Sequence, residues 1–173
     1  MNSDFFRYLN QLELLAFFSG YPLLYAVVAS VFGSTPKKNK LKIFSLLPYA
    51  YALTGTLYLG LQLKNLYPDY SLDNIGLLAH PLVLKLLALV SVLFWLPLLS
   101  RKPIISLLHS LIFFFLLAKD LFLHAFHHED KARIRNDMKV FTDSLLLNSA
   151  SLIVIFILYY FLVFRKTSIS PIN

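Results

Sequence analysis

RKPIISLLHSLIFFFLLAKDLF (101–122) opens on two bases with no acid beside them, runs through an apolar stretch, and meets its first carboxylate only at Asp120. From Ile104 to Phe122 it is about long enough to cross a bilayer core of ~30 Å at ~1.5 Å rise per residue. Four other stretches read the same way: Leu12–Phe32, Ile43–Leu61, Leu82–Leu99 and Leu145–Phe164. Each contains few charges and is flanked by polar residues. The segments joining them alternate in charge. Lys37, Lys38, Lys40 and Lys42 fill the first, Arg101 and Lys102 the third, and Arg165 and Lys166 follow the last stretch, all without an acid. The nine acidic residues lie on the opposite side or at its margin. Bases collect on the cytoplasmic side of short loops. The expected fold is therefore all-α, an integral membrane protein built as a five-transmembrane-helix bundle, N-terminus out and C-terminus in, in a plasma (bacterial inner) membrane.

Composition excludes an ordinary soluble domain. Hydrophobic residues make up 58%, aromatics 16% and charged residues 14%, with a mean hydropathy of +0.67; soluble domains carry about 25% charge. The net charge of +7 sits at span ends, where it meets anionic headgroups, so nucleic acid is not an expected partner. With no cysteine, disulfides, thiolate metal sites and Cys nucleophiles are excluded. The chain reads as a single membrane domain, 1–173, with a polar helical connector over 123–143 on the outer side. The first span is expected to stay attached, because Met1–Gln11 holds one base, Arg7, and the apolar stretch exceeds the ~7–15 residues of a signal core.

Polar residues inside the spans point to packing. Ser19, Gly20 and Pro22 should kink span 1 and free backbone groups for a neighbour to satisfy. Ala52, Thr56 and Gly60 fall at i, i+4, i+8 and predict a close helix contact. The opposite side of span 2, with Tyr51, Tyr58 and Gln62, prefers protein over lipid. Ser144, Asn148 and Ser151 form a stripe on span 5 that is expected to hydrogen-bond to span 4.

Span 4 and its extension carry the candidate chemistry. On a helix advancing ~100° per residue, His109, Asp120, His124 and His127 share one sector, with Ser106 at its edge. Ionisable groups at membrane depth usually face the bundle interior or water, so this stripe is a candidate ion or proton path. On the structural alternative, His109 bonds Ser106, Ser144 or Asn148, and Asp120 pairs with Lys119, Lys64 or Lys85. Farther on, Glu129–Asp143 reads as a polar surface helix with Arg133 and Asp137 at i, i+4 and an apolar strip of Ile134, Met138 and Phe141.

The string His124-Ala125-Phe126-His127-His128 has the form H-x-x-H-H and resembles one histidine box of the membrane fatty-acid desaturases and hydroxylases, where several boxes together hold two irons. That resemblance implies iron ligation by His124, His127 and His128. The chain departs from the family in its other histidines, since His80 and His109 stand alone. Independently of the family, Asp120, His124 and His128 fall at i, i+4, i+8, a spacing suited to zinc or iron. No phosphate loop, dinucleotide turn or Ser/His/Asp set is present. Three functions follow: a non-catalytic subunit of a membrane complex or homo-oligomer, with no cofactor; an ion- or proton-conducting protein using the span-4 stripe; and a metal-dependent membrane enzyme. The expected partners are the lipid bilayer and another membrane protein or a second copy of the chain.

Overall fold

The computed structural model describes residues 3–32, 37–66, 81–126 and 131–169, and the side chains of 11–32, 43–65, 82–126 and 133–162. Those residues are almost entirely helical, with no strand among them. The helices are α1 (Ser3–Phe18), α2 (Tyr21–Phe32), α3 (Lys37–Leu66), α4 (Pro81–Val90), α5 (Pro97–Ser100), α6 (Pro103–Phe126) and α7 (Lys131–Ile169), with a 3-10 turn at Ser91–Trp95 between α4 and α5. Three runs are long and apolar enough to cross a membrane: Gln11–Phe32, Pro103–Phe126 and Arg133–Leu162.

Prolines set most of the boundaries. Pro22 has no N–H to give the Phe18 carbonyl, so the first span breaks at Ser19–Gly20 and resumes as α2. Pro97 opens α5 and pushes the preceding Leu96 out of the α region, to φ −70 and ψ 131. The stretch 82–99 is therefore not one α-helix; it is α4, the 3-10 turn and α5, and its continuous apolar part is Leu82–Trp95. By contrast α7 has neither Gly nor Pro and runs unbroken for 39 residues. It absorbs most of the stretch expected to be a connector. Residues 123–126 continue α6, and 131–143 are the first turns of α7.

The first span lies at the centre. It packs against α3, α4, α6 and α7 and is the most buried of the three membrane-length runs. Phe18 and Tyr21 are fully enclosed. Around Phe18 stand Tyr51, Tyr58 and Phe113, with ring centroids 5.0–5.7 Å away, and Tyr21 lies 4.5 Å from Tyr51. Aromatic pairs at such separations add to the burial of their surface.

Burial along α6 and α7 runs opposite to a soluble helix. On α6 the enclosed positions are Ser106, Ser110, Phe113 and Leu117, while Ile104, Leu108, Ile112, Phe115 and Phe122 face outward. On α7, Asp137, Ser144, Asn148 and Ser151 are buried and Leu146, Ile153 and Phe156 are exposed. In water such a protein would turn large apolar patches to solvent. In a bilayer the same arrangement puts hydrocarbon against hydrocarbon and keeps polar groups within reach of partners.

Candidate functional site

The candidate site is the polar interior of this bundle, and it begins at the break in the first span. Breaking the helix leaves the Gly20 N–H and the Phe17 carbonyl without helical partners, which is costly away from water. Both are met by α7. The Gly20 N–H donates to Ser144 Oγ at 2.8 Å, and Asn148 Nδ2 donates to the Phe17 carbonyl at 2.8 Å and to the Ser144 carbonyl at 2.8 Å. Glycine is required for the approach. A Cβ on Gly20 would lie 2.7 Å from Leu145 Cα and 2.7 Å from the Ser144 carbonyl carbon.

The same α7 face reaches α3, where the Thr54 hydroxyl lies 3.1 Å from Ser151 Oγ and 3.4 Å from Asn148 Oδ1. Ser144, Asn148 and Ser151 thus engage α1 and α3; among the described contacts none of the three bonds α6, the partner expected from sequence. The triplet Ala52, Thr56 and Gly60 does not form one contact face. Ala52 is enclosed, Thr56 is exposed and accepts from Trp95 Nε1 at 2.8 Å, and a Cβ on Gly60 would meet nothing within 4 Å. Close approach on α3 occurs instead at Gly55, where a Cβ would lie 2.9 Å from Ser91 Cβ in the 3-10 turn.

The span-4 stripe is divided among four partner helices, α1, α3, α4 and α7. His109 Nε2–H donates to the Leu87 carbonyl of α4 at 3.0 Å. Its Nδ1 then accepts, and Tyr51 of α3 supplies the hydroxyl at 2.7 Å. With a carbonyl on one nitrogen and a hydroxyl on the other, both ring nitrogens of a neutral imidazole are occupied. These partners replace the Ser106, Ser144 or Asn148 expected from sequence; Ser106 donates to the Pro103 carbonyl and accepts from Tyr21 at 2.8 Å.

Asp120 is held by α1, whose Gln11 Nε2 donates to Oδ2 at 2.7 Å. Nearby in the chain, Gln62 Nε2 of α3 donates to Glu13 Oε1 of α1 at 3.0 Å. His124 turns to α7 and donates from Nδ1 to Asp137 Oδ2 at 2.6 Å. Asp137 is 0% exposed, so the polar surface helix expected over Glu129–Asp143 has one side inside the protein; Phe141 also packs on the core, 6.2 Å from Phe114. Between His109 and Asp120, α6 buries Phe113 and Leu117.

His127 and His128 lie outside the described residues. Among the described residues no three His, Asp, Glu or Cys side chains are grouped to hold a metal ion. No buried side-chain nitrogen or oxygen among them lacks a hydrogen-bond partner. The sequence reading missed Gln11 and Glu13 as half-buried partners, Asp137 as an interior group and Gly20 as a site of close backbone approach. The signal available for the first two was their position at the polar margin of a span. Comparison with protein-family models, curated proteins and solved structures finds no match to this chain.

Proposed function

We propose that the chain is a multi-pass protein of the bacterial inner membrane with five spans, N-terminus out and C-terminus in, acting as a non-catalytic subunit of a membrane complex or homo-oligomer. The broken third segment is compatible with a span. Ten α residues and five 3-10 residues at ~1.5 and ~2.0 Å rise give about 25 Å, and α5 adds to that.

The observation that carries the subunit reading is the far end of α7. From Phe156 to Leu162 every side chain is exposed, with Tyr160 at 62%, Phe161 at 65% and Leu162 at 69%. A helix exposed around its whole circumference gains little from its own bundle, and a neighbouring subunit can enclose it. The interior favours the same reading, since its polar side chains are spent on joining α1, α3, α6 and α7. The test uses the absence of native cysteine. Leu158→Cys in native membranes should form a covalent product of about twice the chain mass, or one with a second protein, while Leu108→Cys on α6 should not. Monomer at both positions, together with a monomeric mass in mild detergent, would remove the proposal.

A second reading, conduction of protons or ions, is favoured by the ionisable groups His109, Asp120, His124 and Asp137 on the inner faces of α6 and α7. Phe113 and Leu117 separate His109 from the other three, and groups that relay protons must be bridged by polar atoms or water. Flux in liposomes decides between the two.

A further inference from the structure

The end of α2, the start of α3 and the middle of α7 do not close on one another. Val28 and Phe32 of α2, Ile43 and Leu46 of α3, and Leu152 and Phe156 of α7 line a crevice of about 200 Å³. Its floor is buried, with Val28 and Leu46 nearly inaccessible, whereas its rim is open: Ile153 is 59% and Phe156 53% exposed. The crevice therefore opens sideways, out of the bundle. Every lining side chain is apolar. Water has no hydrogen-bond partner there, so an apolar occupant is favoured over water.

Charge fixes the rest of the ligand. Lys37, Lys38, Lys40 and Lys42 occupy the first two turns of α3, immediately before Ile43. Lys40 precedes Leu46 by about 9 Å along the axis. On α7, Arg165 and Lys166 follow Phe156 by about two and a half turns. No acid occurs within 33–66 or 144–173. An occupant whose tail lies in the crevice thus places its head beside the first turns of α3, whose sequence is basic and holds no acid. Basic sites between membrane helices on the cytoplasmic side recognise anionic headgroups.

We propose that this crevice binds one acyl chain of an anionic phospholipid of the inner leaflet, with its phosphate at the first turns of α3. The site rests on the C-in orientation proposed above. A lipid there fills the gap between α2, α3 and α7 and ties the three helices together.

The experiment is native mass spectrometry of the full chain released from nanodiscs containing equal phosphatidylglycerol and phosphatidylcholine. Wild type should retain one phosphatidylglycerol, preferred over phosphatidylcholine by about tenfold or more. Ile153→Trp, which blocks the mouth from an exposed position, should abolish retention, whereas Phe115→Trp on the outer face of α6 should not. Replacing Lys37, Lys38, Lys40 and Lys42 by Gln should keep a lipid but erase the headgroup preference. Lipid-free melting of Ile153→Trp matching wild type shows that the fold is intact. Equal retention of both lipids by wild type, or unchanged retention by Ile153→Trp, overturns the site. Labelling of Ser168→Cys from outside would overturn the inner-leaflet assignment through the orientation itself, whereas labelling from inside alone with no lipid preference overturns the lipid site and leaves the orientation standing.

Discussion

Asn148 of α7 donates one amide hydrogen to the Phe17 carbonyl at 2.8 Å and the other to the Ser144 carbonyl at 2.8 Å, so a single side chain both closes the break in the first span and bonds its own helix. Asn148→Leu keeps the volume roughly and removes both donors. It should lower stability in detergent by about 1–3 kcal/mol, the cost of leaving a buried carbonyl unpaired. Thermal melting measures it, and an unchanged midpoint would mean that the break is satisfied by other means.

Gly20 and Gly60 make opposite predictions from the same residue type. Gly20→Ala forces a Cβ to within 2.7 Å of Leu145 Cα and should cost about 1–3 kcal/mol or prevent assembly. Gly60→Ala enters open space and should be neutral or slightly stabilising, since alanine is the better helix former by about 1 kcal/mol. Equal melting of the two variants would contradict the packing at the break.

Orientation is tested by single cysteines in whole cells. Eight bases and no acids mark the three segments assigned to the inside, so Lys38→Cys and Ser168→Cys should resist a membrane-impermeant maleimide while Arg133→Cys reacts. The reverse pattern would invert the protein and move the lysine cluster to the outer leaflet.

His109 and Asp120 separate scaffold from conductor. With both nitrogens of His109 occupied and apolar side chains between it and Asp120, wild-type liposomes should show no proton or ion flux above protein-free vesicles across pH and voltage. His109→Phe should then lower melting, because Tyr51 and the Leu87 carbonyl lose their partner. Robust wild-type flux abolished by Asp120→Asn with melting unchanged would reinstate the path.

His124 and Asp137 close the ends of α6 and α7 across 2.6 Å. A double-mutant cycle with His124→Phe and Asp137→Leu should give a coupling energy of about 0.5–3 kcal/mol. A coupling near zero would show that burial of Asp137 is maintained by its other contacts.

The helical class and three of the apolar runs were legible because hydropathy and run length are properties of the chain alone. Pro22 and Gly20 announced the break, and Ser144, Asn148 and Ser151 announced a polar face. What they bonded to was not legible. A stripe at i, i+4, i+7 states which residues share a side, while its partner depends on how three or four helices rotate about one another. Gly60 completed a small-residue spacing yet faces open space, and Gly55, with no such neighbour pattern, receives the 3-10 turn. The third segment misled through Pro97, whose effect on Leu96 turns one apolar stretch into three pieces. Asp137 looked solvent-bound because its neighbours in sequence are charged; it is instead enclosed and accepts from His124, thirteen residues earlier on another helix.

The partners of Gly20 and Ser144 are 124 positions apart in the chain, and that distance sets an order on biogenesis. The first span is made early, carrying an amide and a carbonyl that a bilayer would leave unsatisfied, and Ser144, which meets the amide, is made 124 residues after it. Until α7 is made, the Gly20 N–H and the Phe17 carbonyl lack the partners it brings. α7 thus acts as a latch on a break made far earlier in the chain.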